Sequence, residues 1–307
     1  RRLSELAPDV VWANDTDTLP GCWRAARKLH RPLVMDAHEL FPEVPEIRHK
    51  PVVKWVWRTI ERCLMPQCDA LLTVCRSIAD YYRERYGVEM RVVRNLGRRS
   101  AKDRRDGPEG PSASPDTAPA VNAEPLLLYQ GKVNVGRGVD WAIDALEFLP
   151  ECRLVVAGDG DLLEAMRAYA AGKPWRERIE FTGRLAPEEL ARLTPQADVG
   201  LVMLDKMGLN YHFALPNRIG DFVAAGVPMV VSDMPEMAAV VRRFGVGEVI
   251  ERKHGHAWEA RALAEAVERV LTRTWSDADF EEARKDMDWE KEKAGLLECL
   301  KDCGLSG

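Results

Sequence analysis

A chain of 307 residues has room for two domains of ordinary size, and its 46% hydrophobic content excludes disorder as a whole. No apolar run approaches the ~18 uncharged residues that would span a bilayer, no signal peptide opens the chain, and a net charge of −5 argues against indiscriminate nucleic-acid binding. The charge is uneven, with 18 Lys and Arg against 13 Asp and Glu in residues 1–100, which fits a polyanionic or membrane-surface partner on one side only.

Arg1 to Leu6 read as a helix already under way. Short buried strands are then expected at 10–13, 32–36, 70–74 and 91–93, with helical patterns near 18–30, 49–65 and 76–86 between them. In "NDTDT" (14–18) two acids are too few for a Mg²⁺ or Mn²⁺ site, and a helix cap is the favoured reading. "RPLVMDAHELFPEVPE" places Asp36, His38 and Glu39 just past a strand, where a histidine can relay a proton or donate to an oxyanion. Asp36 or Glu39 would hold its tautomer through the other ring nitrogen. Residues 47–66 carry Trp55 and Trp57 among cations; such a helix can lie on an anionic membrane, although a core-packing helix with a basic outer face accounts better for the pattern.

The stretch 98–125 is rich in Pro, Gly, Ser and charge without apolar periodicity, and reads as a flexible linker. After it strands are expected at 126–130, 153–157, 179–182, 199–203, 229–232 and 248–250, separated by helices. Such alternation argues for parallel sheets with helices on both faces, and two such units joined by a linker make two doubly wound domains, whose ligands sit at the carboxyl ends of the strands. The seven cysteines form no Cys-x-x-Cys pair and no zinc spacing, which fits a reduced, cytoplasmic thiol set.

Three segments of the second half could carry chemistry. "LLLYQGKVNVGRGVDWAIDAL" runs from a strand through Gly131, Lys132, Gly136, Arg137 and Gly138 into a helix. Its glycines let amides approach an anion, and Lys132 with Arg137 could hold a diphosphate. "RLVVAGDGDLLEAM" repeats strand, Gly158-Asp159-Gly160, helix; here a tight turn with Asp161 as cap is the simpler reading. In "NYHFALPNRIGDFVAAGVPMVVSD", Asn217, Arg218 and Asp221 line a helix start, where the carboxylate could accept a sugar diol and Arg218 could face phosphate.

Taken in order, these segments resemble glycosyltransferase family 4, the retaining transferases of the GT-B fold, over nearly the whole chain. "PDVVWANDTDTLPGCWRAARKLHRPLVMDAHELFPE" and "CDALLTVCRSIADYYRERYG", with Cys75 where serine is usual, look like the acceptor-side domain. "YQGKVNVGRG", "LVVAGDG", "IEFTGRLAPEEL", "ADVGLVML" and "LPNRIGDFVAAGVPMVVSD" look like the donor-side domain, and "MDWEKE" like the closing Trp helix. The resemblance implies a partial acceptor-side domain at 1–97, the linker at 98–125, a nucleotide-sugar domain at 126–273 and helices crossing back at 274–307. The family's first strand and glycine-rich loop are expected ahead of residue 1.

It also implies a nucleotide-diphosphate sugar as substrate, no cofactor and no metal. Donor-binding residues would be Gly131, Lys132, Arg137, Gly158, Asp159, Asn217, Arg218 and Asp221, with His38, Lys132 and Arg137 catalytic. The family pairs two acids eight positions apart. The second falls on Asp221, a ribose holder, and the first on Phe213. The expected activity is metal-independent, hexosyl-type transfer to a glycan, lipid-linked or small-molecule acceptor, by a cytoplasmic protein with possible peripheral membrane contact through 47–66 and no nucleic-acid partner. A nucleotide-sugar epimerase of the same fold and a non-catalytic nucleotide-sugar binder are the alternatives.

Overall fold

The computed structural model describes residue 6, residues 8–47, 49–97, 124–250 and 256–304. Leu6 is helical; the rest of the expected opening helix and positions 98–123 of the expected linker lie outside the described residues.

The first sheet holds β1 (Val11–Asn14), β2 (Leu33–Ala37), β3 (Ala70–Thr73) and β4 (Arg91–Val92) in that order, all parallel. Helices α1 (Asp15–Leu29), α2 (Pro51–Leu64) and α3 (Arg76–Tyr86) make the connections. β1 runs one residue further than expected, so α1 begins at Asp15 and the capping role given to "NDTDT" is corrected. Asp15 takes a left-handed φ of 59°, and its carboxylate accepts the His38 backbone N–H at 2.8 Å instead of capping the helix.

The second sheet holds β5 (Leu126–Gln130), β6 (Arg153–Ala157), β7 (Ile179–Gly183), β8 (Val199–Val202), β9 (Met229–Ser232) and β10 (Gly247–Ile250). Their order is 10-9-8-5-6-7, again parallel. Every residue of β5 is buried because both faces are covered. Leu127 and Tyr129 join the cluster under α4 (Val139–Ala145) and α10 (His256–Thr272), while Leu126 and Leu128 meet Ile219 and Phe222 of α8 (Arg218–Ala225).

The chain then returns to the first sheet. In α12 (Trp289–Asp302), Cys299 packs on Val34 and Leu72. Arg94, just past β4, donates to Glu292 at 2.7 Å from its backbone and 2.9 Å from Nε, and to Asp286 at 2.6 Å. A guanidinium shared by two half-buried carboxylates is a charge-assisted clamp worth more than a surface pair.

α2 departs from the expected basic outer face. Its stripe at 52, 55, 56, 59 and 62 points outward, with Val52 72% and Trp55 64% exposed, while Glu61 on the opposite side is fully buried. Lys54 and Arg58 pair with Glu43 on one flank.

Candidate functional site

The sheet order places the site. Winding proceeds from β5 to β6 and β7, then crosses to β8 on the other side of β5, so the strand order reverses there. Ligands of such sheets sit at this reversal, outside the carboxyl ends of the strands. The loops after β5 and β6 meet at that edge. Gly131 donates to Ala157 O at 2.9 Å and Val133 to Asp159 O at 2.8 Å. A Cβ on Gly158 would lie 1.7 Å from Gly131 O, so only glycine allows the two backbones this close. Gly136 adopts φ +74°, and a Cβ there would strike Met207 Sδ at 2.2 Å.

Lys132 and Arg137 both leave this loop. Lys132 is exposed, and its Nζ lies 2.7 Å from Asp159 Oδ1. The hydrogen bond from Lys132 holds the Asp159 carboxyl below its ordinary range. Arg137 is half-buried with its guanidinium carbon 4.8 Å from the Tyr211 ring centre, a cation–π seat, and its Nε is buried without a hydrogen bond. The expected cap at Asp161 is not formed. The helix α5 (Leu163–Ala171) starts later, and the Asp161 backbone N–H donates to Asn134 Oδ1.

In the segment 217–221, read from sequence as a phosphate and ribose cradle, Arg218 and Asp221 make contacts within the protein. Asn217 is exposed at the start of α8. Arg218 is only 6% exposed; its Nη1 donates to Gln130 O at 2.7 Å and its guanidinium stacks on Tyr129. It braces the glycine loop from beneath, because the last carbonyl of β5 is buried and needs a donor. Asp221 Oδ2 accepts from Gln130 Nε2 at 2.9 Å, and Gln130 Oε1 accepts from Thr194 at 3.0 Å. Burial pushes the Asp221 carboxyl upward. The pocket beside it is lined by Leu96, Gly97, Met287 and Trp289. Phe213, where the family has its first acid, packs against the first-domain core, 6.4 Å from the Tyr81 ring.

Across the cleft, His38 follows β2. Its Nε2 lies 3.3 Å from Asp36 Oδ2, and that hydrogen bond, with the nearby Asp15 and Glu39 charges, raises the imidazole above its ordinary range against the pull of burial. Asp36 is therefore the tautomer partner. Glu39 turns away to Asn210, which donates to its Oε2 at 3.2 Å, and Leu40 N–H donates to Asn210 Oδ1 at 3.0 Å. Asn210, Tyr211 and Asp15 were not singled out for these roles by the sequence. The one signal for Asn210 and Tyr211 is position: α7 (Leu209–His212) ends one residue before Phe213, where the family's first acid is expected.

Among the described residues no group of three His, Cys, Asp or Glu side chains is placed to hold a metal, and no helix is long and apolar enough to cross a membrane. All seven cysteines are free, and burial pushes the Cys75 thiol up to about 12.

The family model for glycosyl transferases group 1 matches residues 124–273, and that for glycosyltransferase family 4 matches residues 1–96. The chain is similar to a sulfoquinovosyl transferase of Arabidopsis thaliana, 24% identical over 89% of this chain and 51% of the relative. It is also similar to an alpha-D-kanosaminyltransferase of Streptomyces kanamyceticus, 23% identical over 71% and 62%. The chain thus spans about half to three-fifths of the length of these curated relatives. In fold it resembles HepE of Anabaena, crystallised with UDP-glucose (TM-score 0.72, 15% identity, 97% of this chain and 81% of that one). A sucrose-phosphate synthase of Thermosynechococcus elongatus is comparable (TM-score 0.73, 16% identity, 98% and 75%). The GT-B arrangement of two parallel α/β domains is common to them.

Proposed function

The chain belongs to glycosyltransferase family 4, and on that premise we propose that it moves a hexose-type sugar from a nucleotide-diphosphate donor to a glycan, lipid-linked or small-molecule acceptor, with retention at the anomeric carbon. One observation carries the reading: a glycine-built loop at the strand-order reversal holds Lys132 and Arg137 at the cleft, with His38 on the facing domain. A structural neighbour crystallised with UDP-glucose supports the donor class.

The chemistry follows from charge. As the bond from the anomeric carbon to the diphosphate oxygen breaks, negative charge grows on the leaving group, and Lys132 and Arg137 stabilise it without a metal. The close approach of the Gly131 and Gly158 backbones shapes the loop that carries both cations, with Asp159 paired to Lys132. The acceptor hydroxyl attacks from the same face, and its proton passes to the leaving phosphate. His38 hydrogen-bonds the donor sugar or acceptor and forms no covalent intermediate.

A lipid-linked acceptor would bring the protein to a membrane, and the exposed Val52, Trp55 and Val56 of α2 beside Arg62 support peripheral contact there. Co-sedimentation with vesicles of anionic phospholipid, lost in Trp55→Ser, checks that part.

Incubation with labelled nucleotide sugars, with and without acceptor, tests the main reading. Label should reach the acceptor with its configuration retained, and nothing should change without it. Isomerised nucleotide sugar in the absence of acceptor would indicate an epimerase; tight binding with no product would indicate a binder.

A further inference from the structure

Three residues of one short segment, Asn210, Tyr211 and Phe213, grip both sides of the cleft, and donor chemistry alone gives them no task. Asn210 is 7% exposed and makes two bonds to the loop that carries His38: Nδ2 to Glu39 Oε2 at 3.2 Å and Oδ1 from Leu40 N–H at 3.0 Å. Tyr211 serves the other loop. Its hydroxyl donates to Val135 O at 3.3 Å, and its ring seats the Arg137 guanidinium. Phe213 then inserts among first-domain residues, while its carbonyl accepts the Cys75 thiol at 3.1 Å. An amide that offers both donor and acceptor to a neighbouring loop fixes that loop's position and its rotation, which a single contact would not.

We propose that Asn210 is a positioning residue: backed by Tyr211, it sets the His38 loop in register with the Arg137 loop, so that the sugar-facing and diphosphate-gripping groups meet in one geometry. The inference rests on the sugar-transfer reading for its purpose, but the bracket itself is a physical arrangement with its own readout. A second-domain side chain that holds a first-domain loop also ties domain closure to alignment of the site. A displacement of about 1 Å in such groups is enough to cost ~10²-fold in rate.

The test uses Asn210→Ala and Asn210→Asp. Amide hydrogen exchange over 38–41 should quicken by at least ~5-fold in Asn210→Ala, because the Leu40 N–H loses its acceptor. Affinities for uridine and guanosine diphosphate should stay within ~2-fold while turnover falls by ~10-fold or more, a kcat effect without a binding effect.

Asn210→Asp keeps the acceptor but sets a second carboxylate against Glu39. Asp15, Glu46, His38 and Arg137 are the other charged or titratable groups around that site. Turnover of this variant should recover as pH falls, since one proton shared between the two carboxyls restores the bond. A merely structural asparagine would lower thermal stability and turnover together, with no recovery at low pH. Unchanged exchange over 38–41 in Asn210→Ala, or diphosphate affinity falling as steeply as turnover, would overturn the proposal. If the parent transfers no sugar from any donor, the sugar-transfer reading fails on that result, and the exchange measurement still decides the bracket.

Discussion

The two edges of the cleft are built alike with opposite charges. In the first domain His38 is presented, and the half-buried carboxylate of Asp15 supports it by accepting its backbone N–H. In the second Arg137 is presented, and the buried guanidinium of Arg218 supports its loop by donating to Gln130 O. Each domain therefore spends one charged residue on a backbone group and leaves another facing the cleft. The comparison teaches that a charged residue at a strand end has two possible duties. Whichever one lies next to an unpaired main-chain donor or acceptor takes the structural duty, because leaving that group unpaired in a buried site costs about 1–3 kcal/mol.

The division can be broken first at His38. His38→Ala should cut turnover by ~10²-fold or more while diphosphate affinity and melting temperature barely change. A lower melting temperature with turnover per folded molecule intact would move His38 to the supporting class.

Arg218→Ala should do the reverse. It removes a stacked, buried side chain and orphans Gln130 O, so stability should fall by about 2–4 kcal/mol in chemical denaturation. Diphosphate affinity measured well below the unfolding transition should change by less than ~3-fold, since Arg218 Nη1 is committed to Gln130 O. A stable variant with much weaker affinity would return Arg218 to phosphate recognition.

A smaller effect separates Asp36 from Glu39. The Asp36 carboxylate raises the folded-state pKa of His38 above its ordinary value, so the charged imidazole stabilises the fold below about pH 6.5 and that contribution is lost as pH rises through the raised value. Asp36→Asn should lower the His38 titration followed by proton NMR and flatten stability across this window. Glu39→Gln should shift it less, since Glu39 acts on His38 only through its charge.

Most of the fold was legible because its signals are local. Strands 126–130, 153–157 and 229–232 and the helix at 76–86 form at the expected residues, where apolar runs buried on both faces end in glycine or polar turns. The loop glycines were legible too, since Gly131 and Gly158 have no substitute at that separation. Side-chain direction was not. The one-residue shift of β1, from 10–13 to 11–14, took Asp15 of the expected capping segment to the backbone of His38, and nothing in "LPNRIGD" shows that Arg218 and Asp221 point at Gln130. Asn210 escaped notice because its partners, Glu39 and Leu40, lie about 170 positions away, and no spacing rule reaches that far.

The central claim is that the loop after β5 grips a diphosphate through the arginine it presents, and calorimetric titration of uridine and guanosine diphosphate into the parent and Arg137→Ala proteins tests it most directly. A charge-assisted contact of about 1.5–3 kcal/mol predicts that the dissociation constant of whichever nucleotide binds rises by at least ~10-fold in the variant, with its fold intact. An unchanged dissociation constant would contradict the account.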